Sequence, residues 1–498
     1  MSRPAGVAAT VEEGAATSKT WALLGLLCLA AAALRALAWW RAGIMFNDGP
    51  VFIELAQAMA NGDWQHAFGH DYHPLYPAAI WAASGFGLSW ENAGAAVSVV
   101  SGALCVVFLF LFLRDAFGAR AAWIGAILWT VQARAVDFSS DVQSDGLYAL
   151  LFFAATWFGY RGWRRGSLPH LAGCGALSAA AYLARPEGLG VVLVLGAALL
   201  WELWRRERSS GQLVRQGAVV ALAAGLGIAP YIVAISSIQG GFTLTQKKSV
   251  AQLSGIEALL EPGAVEVAAT AAPEENRAER WVVAADEFAG SALSAVRAEW
   301  LLPILLGVFA CRGRPGARGW WLLAALALYT AVLLTLAYHA GYVSKRHVIP
   351  VAALFLGYAG LGSIFLATRL DGWEPLRGRA VQLRYALVAL LCAASLVPQF
   401  EARRADRQAA REAAEWLRDS AAPGAAVAAH KQRLAYYANA PFVSAPFMPP
   451  ERLLADLRAR GARYLITDDA RLQSLDRHRD VAVLHVAKAH GREARVFD

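Results

Sequence analysis

Ionisable side chains cluster at the ends of apolar runs, where charge is costly unless it is used. "NDGP" places Asp48 just after the first run, and "QSDGLYALLFF" places Asp145 just before a later one. "ARPEGL" carries Arg185 between two runs, and "YVSKRHVIP" carries Lys345, Arg346 and His347. "TLTQKKS" adds Lys247 and Lys248. An ionised aspartate only accepts hydrogen bonds, so it can take a proton from a hydroxyl or hold a metal. The local alternative for Asp48 is a helix N-cap, with Gly49 and Pro50 following. Arg and Lys suit phosphate oxygens, Arg in a bidentate fork. His70, Asp71 and His73 in "HDYH" offer two imidazoles and a carboxylate, but their spacing matches no specific metal motif, so no metal site is assigned. Asp137 and Asp141 read as loop acids, and for Asp137 solvation alone accounts for the charge.

The elements that must position these residues are membrane spans. The 498-residue chain is 57% hydrophobic and only 17% charged, where a soluble protein carries about 25% charged residues. Apolar runs of about 17 to 24 residues recur over the first 400 positions, the length that crosses a hydrocarbon core. The net charge of +8 does not indicate nucleic acid, because most of the Lys/Arg excess sits in short loops between runs and no aromatic–basic recognition element is present. The five cysteines lie within or at the end of apolar runs without metal-ligand spacing, and read as packing residues.

Eleven spans are expected, near 21–40, 93–113, 121–137, 145–160, 168–184, 188–204, 217–237, 289–311, 319–337, 348–368 and 382–398. Arg297 and Glu299 interrupt the eighth. Basic residues fill every second connection, from Arg114 and Arg120 to Arg369, Arg377, Arg379 and Arg384. The long connection 42–92 has none. The positive-inside rule then puts the N-terminal tail (1–20) in the cytoplasm and 42–92 outside. Arg185, the Lys247–Lys248 pair and the Lys345–His347 cluster all fall outside, against the rule. Three such sites in one chain favour a common anionic ligand.

Within 42–92, residues 50–60 have helical apolar spacing and 74–88 is apolar and aromatic, so two short helices along the membrane surface are expected. The long outside stretch 238–288 reads as a lid over bound substrate. After residue 400 the chain becomes charged, with strand signals in "AAVAAH", "RYLITDD" and "VAVLHVAK" and a helix in "PPERLLADLRARG". A small α/β domain is expected over 401–498, outside the membrane, following the membrane domain at 21–400.

A carboxylate just after span one, "A-x-x-x-x-x-G-D-W", "HPLYP", "QSDGLYALLFF", "ARPEGL" and "SKRHVIP", in this order and on these sides, resemble GT-C polyprenyl-phosphate-sugar glycosyltransferases. The resemblance is to the branch with protein O-mannosyltransferases and lipid A aminoarabinose transferases, and covers roughly residues 20–400. It implies an all-α polytopic GT-C bundle in the cytoplasmic (inner) membrane. The implied activity moves a sugar from a lipid-phosphate donor to a glycan, lipid or protein acceptor. No cofactor is implied, and a divalent metal is unsupported. It further implies Asp48, then Asp145, as base or acceptor-positioning carboxylate. Arg185, Lys345, Arg346, Lys247 and Lys248 would clamp the leaving phosphate, with His73, Tyr76, Asp71 and Glu54 near substrate. Asn47-Asp48 stands where the family often has Asp-Glu, and His73 where relatives often have Lys before Pro. Two other classes fit the same cations: a flippase for an anionic glycolipid, and a GT-C-like assembly subunit without catalysis.

Overall fold

A computed structural model describes the chain except residues 1–16, 207, 247–276, 312–315, 402, 423, 447 and 479–480. The first helices are α1 (Ser18–Ala42), α2 (Gly49–Ala60), α3 (Trp64–Phe68), α4 (Leu75–Ser84), α5 (Trp90–Phe117), α6 (Ala119–Val131), α7 (Ala133–Phe138) and α8 (Asp145–Arg165). They continue with α9 (Leu168–Ala184), α10 (Gly190–Arg205), α11 (Ser210–Gln239), α12 (Arg277–Ala310), α13 (Ala317–Ala340), α14 (Lys345–Ala353), α15 (Leu356–Asp371) and α16 (Ala380–Leu396). The C-terminal part runs α17 (Gln408–Ser420), β1 (Ala426–Ala429), α18 (Gln432–Tyr437), β2 (Phe442–Ser444), α19 (Pro450–Ala459), β3 (Ala462–Thr467), β4 (Val483–Ala489) and β5 (Arg492–Phe497). Lys247, Lys248 and most of the expected lid over 238–288 lie outside the described residues, as does most of the 1–20 tail.

Among the described residues, six helices are long and apolar enough to cross a membrane, and eight if each of two bent pairs forms one span. Leu26, Leu29 and Trp40 on α1 and Leu222 and Leu226 on α11 are exposed, as lipid-facing side chains must be. The chain is a multi-pass membrane protein. Every one of the eleven expected segments falls on helix, but three are broken. The 121–137 segment splits at Gln132 into α6 and α7. α12 turns by 92° where Arg297 takes φ +58° and pairs with Glu299, the two charges that interrupt this run in the sequence. α14 and α15 meet at 58°. The α12–α15 contact is backbone on backbone: a Cβ on Gly307 would lie 1.9 Å from the Tyr358 carbonyl oxygen. Small residues permit this approach where lipid supplies no hydrophobic drive.

Two surface helices were expected in the connection after α1, and three occur, α2, α3 and α4. α2 buries Phe52, Ile53, Leu55, Ala56 and Met59 on the face set by its apolar spacing. Gly62 (φ +76°) and the Asp63 N-cap, whose side chain accepts from His66 N, turn the chain into α3.

The C-terminal sheet has the order β2-β1-β3-β5-β4. β1 pairs in parallel with β2 and β3, while β3–β5 and β5–β4 are antiparallel. The three expected strands correspond to β1, β3 and β4. β2 and β5 lie in shorter or more polar stretches with weak alternation. One apolar core joins this unit to the first connection: Ile44, Phe52, Ile53, Tyr76 and Ile80 pack in the same cluster as Ala413, Leu417, Val427, Leu434 and Val496. The sheet and the α2–α4 layer therefore bury each other's apolar faces.

Candidate active site

Four segments far apart in sequence bring their charges together beneath this layer. Gly43, at φ +65°, ends α1 in the left-handed conformation, and the chain reaches α2 through residues 44–48. Asp48 occupies the N-cap position of α2, with Pro50 in the first turn. Its side chain makes no capping hydrogen bond among the described residues. The carboxylate turns instead to Arg346, whose Nη1 donates to Oδ2 at 2.9 Å. The capping alternative for Asp48 is thus not realised.

"YVSKRHVIP" is not a loop. Gly341 (φ +72°) ends α13, and Ser344 leads directly into α14, so Lys345, Arg346 and His347 form a helical first turn. Three basic residues at a helix N-terminus oppose the macrodipole, and acids from other segments stand against two of them, Arg346 and His347. Asp145, in the first turn of α8, stands 3.8 Å from Arg346 Nη1. Arg185 Nη1 donates to Asp145 Oδ1 at 2.7 Å, and its Nη2 to Glu187 Oε1 at 3.3 Å. His347 Nε2 lies 3.9 Å from Glu187 Oε1.

Arg185 reaches this point because Pro186 follows it. A residue before proline is pushed to extended backbone, so α9 stops at Ala184 and Arg185 takes φ −157°, ψ 139°. Gly188 lets the next turn fold back onto α9, where a Cβ would lie 2.3 Å from the Ala181 carbonyl carbon.

The result is a file, Asp48–Arg346–Asp145–Arg185–Glu187, in which three carboxylates face two guanidiniums. Arg185 and Asp145 are 6% and 7% exposed, whereas the side chains of Asp48 and Arg346 keep 17% and 18% of their surface. Both ends of the file keep some surface, Asp48 at 17% and Glu187 at 15%, while the middle is buried. A small cavity beside the file is lined by Asp145 and Arg346 together with Trp129, Phe138, Ser139 and Pro350. A larger cavity of about 310 Å³ lies elsewhere, in the C-terminal unit, between His430 and Asp469 at the carboxyl ends of β1 and β3.

The remaining candidates divide. Among the described residues Lys345 makes no ion pair, and its charged neighbour is Arg134 on α7. His73 is buried with both ring nitrogens engaged, Nδ1 by the Tyr182 carbonyl and Nε2 by Thr245 Oγ1. Tyr76 is buried, and its hydroxyl bonds the Gly94 carbonyl and Ser98. Glu54 is exposed and pairs with His66 and Gln432, and Asp71 is exposed. None of these four joins the file. His70, Asp71 and His73 do not converge on one point either: His73 is tied to Tyr182 and Thr245, whereas the His70 ring stacks on Tyr72. Among the described residues no group of three or more His, Cys, Asp or Glu side chains is placed to hold a metal.

Three residues in the site carried no weight in the sequence reading. The Tyr72 hydroxyl faces Asp48, and burial together with that carboxylate holds its pKa well above the usual phenol range. Glu187 lies within the quoted "ARPEGL" and holds Arg185 on its far side. Arg35, fully buried in α1, donates from Nε to Ser139 Oγ at 2.7 Å, behind the cavity. A lone arginine fourteen residues into an apolar run was the signal available for it.

The profile of the dolichyl-phosphate-mannose-protein mannosyltransferase family matches residues 72–231, about a third of the chain, including Tyr72, Asp145, Arg185 and Glu187. Among solved structures, the oligosaccharyltransferase of Archaeoglobus fulgidus, in complex with Zn and sulfate, superposes with a TM-score of 0.61 at 14% identity, over 90% of this chain and 68% of that one. The same enzyme (AglB) in complex with an inhibitory peptide and a dolichol-phosphate gives 0.58 at 14% identity, over 90% and 69%. ArnT from Cupriavidus metallidurans bound to undecaprenyl phosphate gives 0.55 at 14% identity, over 96% of this chain and 98% of that one. No curated protein matches the sequence.

Proposed function

For a chain with the architecture of the GT-C superfamily glycosyltransferases, we propose transfer of a sugar from a polyprenyl-phosphate carrier to an acceptor hydroxyl or amine. The observation that carries this reading is Asp48: a partly open carboxylate freed from capping duty, held by Arg346 and faced by Tyr72 at one end of a buried charge file. The polyprenyl phosphates bound by the two fold relatives support the donor class.

In this reaction the acceptor oxygen or nitrogen attacks the anomeric carbon. The bond from that carbon to the phosphate oxygen breaks, and the electron pair leaves with the lipid phosphate. The proton lost by the acceptor goes to Asp48, a role worth about 10²–10⁴ in rate. Arg346 orients the Asp48 carboxylate and offsets charge growing on the phosphate. Arg185 is surrounded by Asp145 and Glu187, so it holds Asp145 in place rather than the ligand. Phosphate binding then falls to Lys345, Arg134 and the first N–H groups of α14, a helix N-terminus suited to an anion.

This reading includes eleven crossings, a cytoplasmic N-terminus, and the α2–α4 layer and C-terminal sheet on the outer face of the cytoplasmic membrane. It needs no cofactor. The test is Asp48→Asn, which keeps the side-chain shape and the Tyr72 contact. Polyprenyl phosphate released from a polyprenyl-phosphate sugar should fall at least a hundredfold while the protein still folds and inserts. Release within threefold of the unaltered protein would refute the base assignment. A flippase would move the lipid across vesicles with no release at all.

A further inference from the structure

The backbone of residues 44–46, which carries the chain from α1 into Asp48, is held at three consecutive residues by groups from elsewhere. Arg404 Nη1 donates to the Ile44 carbonyl at 2.6 Å. The Met45 N–H donates to the Tyr437 hydroxyl oxygen at 2.9 Å. The Phe46 N–H donates to both Asp141 oxygens, at 3.1 and 3.3 Å. Asp141 also ion-pairs with Arg404, and the Arg404 guanidinium lies 5.6 Å from the Phe46 ring centre. The Tyr437 hydroxyl donates its own hydrogen bond to Glu91 Oε1 at 3.1 Å, which turns its lone pairs toward Met45. The Gly49 N–H then closes on the Phe46 carbonyl at 3.1 Å and sets the direction of α2.

We propose that Arg404 and Tyr437, supplied by the C-terminal segment, are positioning residues for Asp48. The proposal rests on the transfer reading above. Neither side chain touches the charge file. Each holds the strand of backbone whose end presents the Asp48 carboxylate to Arg346. Adhesion between the C-terminal unit and the α2–α4 layer comes from the shared apolar core. The polar contacts add what an apolar contact lacks, a fixed register for three backbone groups. An aspartate displaced by about 1 Å loses on the order of a hundredfold in rate. The C-terminal unit thus acts as a template for the catalytic loop, and the loop cannot take its working shape while the unit is undocked.

The decisive variant is Tyr437→Phe in the full-length protein, in detergent or nanodiscs. It removes one hydroxyl and keeps the ring that packs in the core and under Arg411. Two measurements are made. In the release assay, kcat should fall about 10- to 100-fold with the KM for the polyprenyl-phosphate sugar within twofold. Hydrogen–deuterium exchange should quicken in the peptide spanning 43–50 and stay unchanged over β1 and α17. Arg404→Lys should behave alike, because one ammonium cannot serve the Ile44 carbonyl and the Asp141 carboxylate in the same geometry. A role in stability alone would raise exchange across the whole C-terminal unit and leave the kcat of the folded fraction intact, and that result overturns the proposal. Unchanged exchange over 43–50 overturns it as well. If the unaltered protein releases no polyprenyl phosphate, the transfer reading fails, while exchange still decides whether Tyr437 orders the loop.

Discussion

The buried Asp145–Arg185 pair can be separated into scaffold and chemistry by a double-mutant cycle. Arg185→Met removes the guanidinium that contacts both Asp145 and Glu187. The site then holds three carboxylates and one guanidinium, and Asp145, 7% exposed, keeps only Arg346 at 3.8 Å. Removing one partner of a buried pair costs about 3–5 kcal/mol, because the other charge stays desolvated. That is a large share of the roughly 5–15 kcal/mol that holds a typical domain together. Asp145→Leu alone costs less, since Arg185 retains Glu187. The double variant Asp145→Leu/Arg185→Met keeps the charge balance of the file at one net negative and fills the space with apolar side chains. It should recover to within about 2 kcal/mol of the unaltered protein, well short of the sum of the two single costs. The assay is chemical or thermal unfolding in detergent for all four proteins, with polyprenyl phosphate release measured on the folded fraction. Stability should return in the double variant while release stays low, because Arg346 has lost the acid that balances it from behind. If Arg185→Met alone lies within about 1 kcal/mol of the unaltered protein, against the cost expected for breaking a buried pair, the buried file does not hold these helices together.

Two further predictions address the donor and the Tyr72 loop. Lys345→Gln and Arg134→Gln should each raise the KM for the polyprenyl-phosphate sugar several-fold with little change in stability, since neither residue balances an acid among the described residues; equal KM values in both would remove the phosphate site from the start of α14. His70 is held below the ordinary imidazole pKa, chiefly by burial, and its Nδ1 accepts the Tyr72 N–H at 3.2 Å. The unfolded chain binds this proton more readily than the folded one, so the contribution is fully present above about pH 6.5 and is lost as pH falls through the lower folded value. Exchange at the Tyr72 amide, corrected for its intrinsic pH dependence, should therefore quicken between pH 6.5 and 5, and His70→Gln should abolish the change.

Much of the architecture was legible in the chain itself. Apolar runs of spanning length have few alternatives to helix in lipid, because every backbone polar group must be satisfied within the segment. The expected helices accordingly all occur, with breaks at Gln132, at the Arg297–Glu299 pair and between α14 and α15. Asp48, Asp145, Arg185 and Arg346 stood out because charges at the ends of such runs are expensive to place. The strands of the C-terminal sheet were legible where β-branched residues alternate, and not at β2, whose three residues are too short to show a period.

What the residues do to one another was decided only by packing. Arg346 and Asp48 are 298 positions apart, and Arg404 lies 360 positions from the carbonyl it binds. No local pattern encodes those separations; they follow from how the membrane helices cross and how the C-terminal unit docks on the α2–α4 layer. The same packing buried His73 between the Tyr182 carbonyl and Thr245, and gave Arg185 two acids of its own. It also placed Tyr72 and Tyr437 on the loop of Asp48. Sequence alone determined which groups are chemically competent and which helices carry them, because those properties depend on side-chain type and on the length of apolar runs. Tertiary structure decided which charges are neutralised by a neighbour and which remain open to a ligand, because the strength of a charge pair depends on distance and burial, and both are set between segments rather than along them.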